Sequence, residues 1–343
     1  MNLIELHILQ SFPVTCLNRD DVGSPKSATF GGTQRARVSS QSLKRASRLL
    51  AREESPTGFE GIRSRFLLEP FSTALIEAGL PGEEAAKKAA EICEIFSTAD
   101  KKKPDQVTTA VYLSPGEIRQ IAEAVAAGET NEKAVKKVDR LDAADIALFG
   151  RMIANDATLN VEGAAMFSHA LSTHATANEI DFFSAVDDRK GDAEDAGAGM
   201  IGTLEYNSAT YYRYVAINLD LLFDAKHLAA LATEERKAIL RAFIGSVLTA
   251  VPGARQNSMN GATLPVEVLG IRKNRGQPLQ LVNAFEEPVK ANGKGGYAEK
   301  SREKMLGHHA DLKRLWGIDT AVESLLTEDG LDSFLDQLLT GDV

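Results

Sequence analysis

Cysteine is nearly absent from the chain: Cys16 and Cys93 are the only two, and they lie far apart. Two isolated thiols supply neither a disulfide framework nor a four-ligand zinc site, and they fit a reducing compartment. No apolar run approaches the ~20 residues that a membrane span requires. The amino terminus, MNLIELHILQSF, has neither a basic n-region nor a small-residue cleavage site, so no membrane partner and a cytoplasmic location are expected. Internal repeats and low-complexity tracts are missing as well. So is a positive net charge: the formal total is -9. An acidic total argues against a protein that coats nucleic acid, because phosphate binding draws on positive surface and released counterions. What remains is 343 residues, 43% hydrophobic and 25% charged, enough apolar material for a substantial folded core.

The distribution of charge reverses what its total implies. Residues 1–50 carry seven Lys or Arg (Arg19, Lys26, Arg35, Arg37, Lys44, Arg45, Arg48) against Glu5, Asp20 and Asp21, a local +4. Residues 51–343 therefore hold -13. One end of the chain is a positive island in an acidic protein.

Along the chain, residues 3–9 alternate, with Ile4, Leu6 and Ile8 on one face and Glu5 and His7 on the other, the period of a half-buried strand. Residues 13–38, rich in Pro, Gly, Ser, Thr and Asp, read as a long functional loop. From Ser39 or Ser40 as N-cap, a helix is expected with Leu43, Ala46 and Leu50 inward and Gln41, Lys44, Arg45, Arg48 and Arg52 outward. Residues 60–150 read as a helical insertion. The stretch NEIDFFSAVDDRKGDAEDAGAGMIGTLEYNS predicts a protruding hairpin with a polar tip. YYRYVAINLDLLF predicts a strand, 233–251 a helix, LPVEVLGI and PLQLVNAF two short strands, and 321–339 a helical tail. The pattern points to an α+β sheet.

Several motifs carry chemistry. The Ser39–Arg48 face combines hydroxyls, unpaired helix amides and cations, with no acidic i,i+4 partner between Gln41 and Arg52, which suits a phosphate. Asp20 and Asp21 in CLNRDD would bind a divalent metal or simply cap a turn. GAGMIG, with Gly197, Gly199 and Gly202, satisfies G-x-G-x-x-G but lacks the preceding strand and following helix of a dinucleotide site. GKGGY, at 293–297, reads as a turn. His169 and His174 stand five apart, unlike a helical zinc pair, and read as core or capping groups. Met152 and the Phe182-Phe183 pair either pack inward or leave a ring free to stack on a base.

Six segments in this order, TCLNRDD, FGG with RVSSQSLKRA, DIALFGRM, EIDFFSAVDD, YYRYVAINL and VPGARQ, closely resemble the CasC family, the repeated backbone subunit of the type I-E CRISPR Cascade complex. The matches span about residues 1–50 and 140–290. The resemblance implies a palm built on a modified RNA-recognition (ferredoxin-like) fold, over 1–54, 151–175 and 207–343 with the C-terminal tail. It also implies helical fingers over 55–150 and a β-hairpin thumb over 176–206. It further implies binding of guide RNA (crRNA) by copies polymerised head to tail, with other Cascade subunits and target DNA as partners. No cofactor and no resident metal are expected. Carried onto matching positions, Arg19, Lys26, Ser39, Gln41, Lys44 and Arg48 resemble guide-backbone contacts. Met152, Phe182, Phe183 and Ser184 resemble residues that wedge and support the bases, and Ile201 sits on the thumb's second arm. Where the family often has Trp-Phe, this chain has Phe182-Phe183, which keeps stacking and loses an indole donor.

A carrier of changing guides must hold phosphates and sugars without reading bases, and Lys, Arg, Ser and Gln on one helix face do that. The competing expectation is a metal-dependent ribonuclease using Asp20 or Asp21. A small-molecule oxidoreductase at the Gly197 loop is the third.

Overall fold

The computed structural model describes residues 1–55, 58–185, 200–253, 255–291 and 296–341; the side chains at 184, 185, 200 and 201 also fall outside the described part. The thumb tip, about 187–199, and most of GKGGY lie outside the described residues.

In chain order, β1 (Leu3–Thr15), β2 (Ser27–Phe30) and β3 (Thr33–Val38) lead into α1 (Ser40–Glu54). The insertion follows: β4 (Ile62–Ser64), α2 (Leu68–Glu77), α3 (Gly82–Phe96), β5 (Ala99–Asp100), β6 (Lys103–Val107), β7 (Val111–Leu113), α4 (Pro115–Ala126), α5 (Asn131–Lys136) and α6 (Ala144–Phe149). Then come β8 (Ala165–Phe167), β9 (Ala170–Ser172), β10 (Glu179–Ala185), β11 (Met200–Asn218), α7 (Leu219–Leu222) and α8 (Thr233–Thr249). The chain closes with β12 (Glu267–Lys273), α9 (Tyr297–Trp316), β13 (Val322–Leu325) and α10 (Gly330–Leu338).

Among the described residues one nine-stranded antiparallel sheet dominates, in the order β13-β12-β1-β11-β9-β3-β2, with β8 and β10 also paired to β11. Its central strand β11 has two partners in sequence. Residues 207–218 pair with β1, whereas Met200–Tyr206 continue past the end of β1 and pair with β10. The protruding hairpin is thus a continuation of the core strand, and its base direction is set by the sheet itself.

The β1 alternation is real but both faces are buried, not one. Ile4, Leu6 and Ile8 pack against Phe243, Ile244 and Val247 of α8 and Phe334, Leu335 and Leu338 of α10. On the other face Leu9, Tyr212, Tyr214, Phe285 and Met305 form a second layer that includes α9. Glu5 and His7 point into that layer, where burial is tolerable because each is paired. Glu5 forms an ion pair with Lys273 and accepts from the Tyr214 hydroxyl at 2.8 Å, while His7 bonds the Tyr212 hydroxyl at 2.9 Å. Burial holds the His7 imidazole well below its ordinary pKa.

Four expected elements differ. In YYRYVAINLDLLF the strand ends at Asn218 and Leu219–Leu222 is helical. Residues 13–38 are not all loop: β1 runs to Thr15, and β2 and β3 form a hairpin closed at Gly31-Gly32. Both glycines have positive φ, +57° and +72°, as the mirror-image two-residue turn requires. A β-carbon on Gly31 would lie 1.7 Å from the Glu286 carbonyl oxygen, so close packing adds a second demand for glycine. PLQLVNAF forms no strand. Its amides are taken by side chains of the sheet, Leu279 N–H by Glu5 at 2.6 Å and Leu281 N–H by the Tyr212 hydroxyl at 2.8 Å, and Val282–Phe285 is a 3₁₀ turn. The tail over 321–339 is a strand, β13, pairing with β12, followed by α10.

The insertion has its own core, built from Leu67, Phe71 and Leu75, Ala85, Ala89, Ile92 and Phe96, and Ile121, Ala122 and Val125. By contrast, Ala144, Ala147 and Leu148 of α6 belong to the sheet's core. Among the described residues no helix is long and apolar enough to cross a membrane.

Candidate nucleic-acid interface

The site is organised by the start of α1. Ser39 is extended (φ -69°, ψ 146°), and its hydroxyl accepts the Ser42 N–H at 3.3 Å, as an N-cap should. Asn18 accepts the Ser39 N–H at 2.9 Å, which seats the Cys16–Lys26 loop against the helix mouth. His169 Nδ1 accepts the Ser40 N–H at 3.2 Å. The amides expected to be open to an anion are thus partly used internally. The Ser39 hydroxyl, having accepted one hydrogen bond, keeps its own proton to donate.

α1 buries Leu43, Ser47 and Ala51, a stripe one step round from the expected Leu43, Ala46 and Leu50, which places Lys44 and Arg48 on its flank. Lys44 Nζ stands 5.6 Å from the centre of the Phe167 ring, and partial burial lowers its pKa. Arg48 lies over Tyr112 at 5.5 Å, and the Tyr112 hydroxyl donates to Asp145 at 2.7 Å. Arg48 is therefore both a surface cation and a tie between α1 and the insertion. Gln41 and Arg45 are fully on the outer side.

Seven cations here, Arg19, Lys26, Arg37, Lys44, Arg45, Arg48 and Arg52, form no ion pair within 4.0 Å among the described residues, whereas Arg140, Arg151, Lys273 and Arg302 elsewhere are paired. A cluster of unneutralised cations raises the local potential and stays available to an incoming polyanion.

Arg151 donates to the Tyr112 carbonyl at 3.1 Å and to Glu117 at 2.8 Å, fully buried between them. The next residue, Met152, is thrown outward and is 83% exposed. Arg48 and Arg151, the neighbour of Met152, thus both contact Tyr112.

The hairpin divides its two phenylalanines. Phe183 lies over Gly202 directly opposite it, and a β-carbon there would sit 2.6 Å from the ring. Phe182, on the other face beside Ile180, is 65% exposed, and Ile180 is 69% exposed. Of the pair, only Phe182 offers a largely free ring. Ser184 and Ile201 pair with each other in register, and their side chains lie outside the described residues. At the hairpin base Asn178 donates to the Pro25 carbonyl at 3.4 Å and to Glu205 at 3.2 Å, docking the hairpin beside Lys26.

Asp20 closes its own turn, accepting the Val22 and Ser24 amides at 3.0 and 2.9 Å. Among the described residues no group of three or more His, Cys, Asp or Glu is arranged to hold a metal. His174 is a core group: Nε2 accepts the Thr210 N–H at 3.2 Å, Nδ1–H donates to the Ala175 carbonyl at 3.0 Å, and the ring stacks on Tyr297 at 3.6 Å. Burial lowers its pKa, as it does for His7. Both imidazoles titrate lower folded than unfolded, so unfolding takes up protons and stability falls as pH drops through about 6.5. A thermal midpoint that declines between pH 7.5 and 5.5, and declines less in a His174→Gln variant, is the expected result; equal slopes in both would contradict it.

Arg37 and Arg45 join this surface from the positive island, and His169, expected as a core or capping group, accepts the Ser40 N–H. Phe167 and Tyr112 belong to it as well; they reach the helix only through tertiary packing, which no local pattern signals.

A family model described as "CT1975-like protein", of the Cas proteins, matches residues 4–337. The chain belongs to the CT1975-like family of Cas proteins. This agrees with the resemblance to CasC. One chain of a solved "CRISPR RNA-guided surveillance complex, pre-nicking" matches this family member with a TM-score of 0.81 and 26% identity, covering 98% of this chain and 99% of that one. A chain of another "CRISPR RNA-guided surveillance complex" shares the fold at a TM-score of 0.65 and 24% identity, covering 98% of each. No curated protein matches.

Proposed function

We propose that this Cas protein is a non-catalytic guide-RNA-binding subunit. Copies of it polymerise head to tail along the crRNA as the backbone of a type I-E CRISPR interference complex and present guide bases to target DNA. The observation that carries the reading is the set of cations without an ion pair around the mouth of α1, Arg19, Lys26, Lys44 and Arg48, in a chain that also exposes two large apolar groups, Met152 and Phe182. The similarity to a chain of an RNA-guided surveillance complex supports it.

In this reading the Ser39 hydroxyl, Gln41, Lys44, Arg48, Arg19 and Lys26 hold phosphates and sugars, which carry no sequence information. Met152 and Phe182 wedge or stack against bases, a contact every base can make. Phe183 supports Phe182 from the opposite face, and Ser184 and Ile201 complete the hairpin arm. The large antiparallel sheet with helices on both faces is the palm, of modified RNA-recognition type, and the insertion core is the fingers. A repeated heterologous contact between copies produces an open filament.

The ribonuclease alternative would use Asp20 or Asp21 with a metal, but Asp20 is engaged in its turn. The deciding experiment purifies the assembled complex, extracts its nucleic acid and incubates it with labelled RNA and Mg²⁺. A bound RNA of uniform length and an intact labelled strand are expected. Cleavage abolished by Asp20→Ala, or a complex free of RNA, would overturn the assignment.

A further inference from the structure

The outer side of α1 forms one wall of an open groove of about 1080 Å³, lined by Arg45, Leu49, Arg19 and, across from the helix, Val251–Gly253 and Gln256. It continues into a shallow depression of about 470 Å³ along Arg255, Gln256, Asn257 and Ser258, sharing Gly253 and Gln256 with the first. Nothing in the proposed function uses this second wall.

Arg255 is unusual in two independent ways. It is the only non-glycine residue with positive φ, +54°, among the described residues. A side chain in the left-handed region is strained, and such strain persists where surrounding structure holds it, commonly at binding sites. Here the Arg255 carbonyl accepts the Ser258 and Met259 amides at 3.2 and 2.8 Å, which locks the loop. In addition its Nε is buried without a hydrogen-bond partner, and no carboxylate forms an ion pair with the guanidinium among the described residues. An arginine held in a costly conformation with an unused donor is poised for an acceptor that the chain does not supply. Arg19 and Arg255 both act on the buried Cys16 thiol, as do Asp20 and Glu205, so both loops lie within electrostatic reach of it.

We propose that the Arg255–Ser258 turn is a second phosphate grip, in which Arg255 and Gln256 hold the sugar-phosphate backbone of the RNA strand across the groove from Arg45. This rests on the RNA-binding reading above. The groove is not uniformly positive: Asp20, Asp21 and Glu53 line it beside Arg19 and Arg45, and Arg255 lines the adjoining depression, where no carboxylate stands among the lining residues.

The test uses the full chain, a fluorescein-labelled single-stranded RNA and the variant Arg255→Gly. Glycine adopts φ +54° at no steric cost, so the thermal midpoint should hold or rise. RNA affinity should nonetheless fall about five- to tenfold, and the slope of log K against log salt should become shallower by about 0.7, the loss of one phosphate contact on a single strand. Unchanged affinity and slope in Arg255→Gly, with the wild type binding, would overturn this inference alone. A midpoint that falls together with affinity would show a structural role and overturn it too. A wild type that binds no RNA would remove the RNA-binding reading and this inference with it.

Discussion

Replacing Lys44 and Arg48 together by alanine is expected to weaken RNA binding by about 100-fold and to make the salt slope shallower by about 1.4, the signature of two lost phosphate contacts. The loss should be nearly the same for RNAs of unrelated sequence, because neither cation reads a base edge. Both side chains sit over aromatic rings, Lys44 over Phe167 and Arg48 over Tyr112, so their positions are set before RNA arrives and little side-chain entropy is left to lose on binding. Removing Arg48 also removes a tie between α1 and the insertion, at a cost of about 1 kcal/mol in stability. Arg48→Lys separates the two effects: it keeps the charge and loses the planar stack. Fluorescence anisotropy with thermal denaturation on the same samples checks both variants. Affinity unchanged in the double variant would show that the helix face does not contact RNA.

The second large effect is on stability. Glu117→Gln is expected to destabilise the fold by about 3–5 kcal/mol, the range for breaking a buried ion pair by removing one partner. The Glu117 side chain is 1% exposed and accepts from Arg140 Nε at 2.7 Å and Arg151 Nη1 at 2.8 Å; it also accepts the Ser114 N–H at 3.1 Å to complete the capping box of α4. Without the carboxylate, Arg151 is a buried cation whose remaining acceptors are the Tyr112 and Leu159 carbonyls. Because Arg151 fixes the chain just before Met152, the variant should also loosen the apolar end of the interface. Chemical denaturation measures the first consequence and RNA binding the second. A loss below about 1 kcal/mol would mean that the pair is replaceable by water and that Met152 is held by other contacts.

Much of this architecture was legible from local pattern. The N-cap at Ser39 could be read because its chemistry lies within three residues, and the period change there separates strand from helix. The hairpin arms could be read from β-prone runs on either side of a polar centre. The positive island was visible as charge alone. What local pattern could not supply was long-range pairing. Glu5 and His7 looked like a solvent face because their partners, Lys273, Tyr214 and Tyr212, lie more than two hundred residues away. PLQLVNAF had strand composition, but its amides meet Glu5 and Tyr212 rather than a ladder. Arg48 looked like a free surface cation because its ring, Tyr112, belongs to the insertion. The division of labour between Phe182 and Phe183 depends on which one faces Gly202, a matter of register that adjacent aromatics do not reveal.

The central claim is that cations without carboxylate partners at the mouth of α1 grip RNA phosphates regardless of sequence. The measurement that tests it most directly titrates the full chain with two labelled single-stranded RNAs of equal length and unrelated sequence, from low to high salt. Affinities equal within about threefold, and two parallel lines falling steeply with log salt, are the expected result. Affinity that ignores salt, or that differs more than about tenfold between the two sequences, would contradict it.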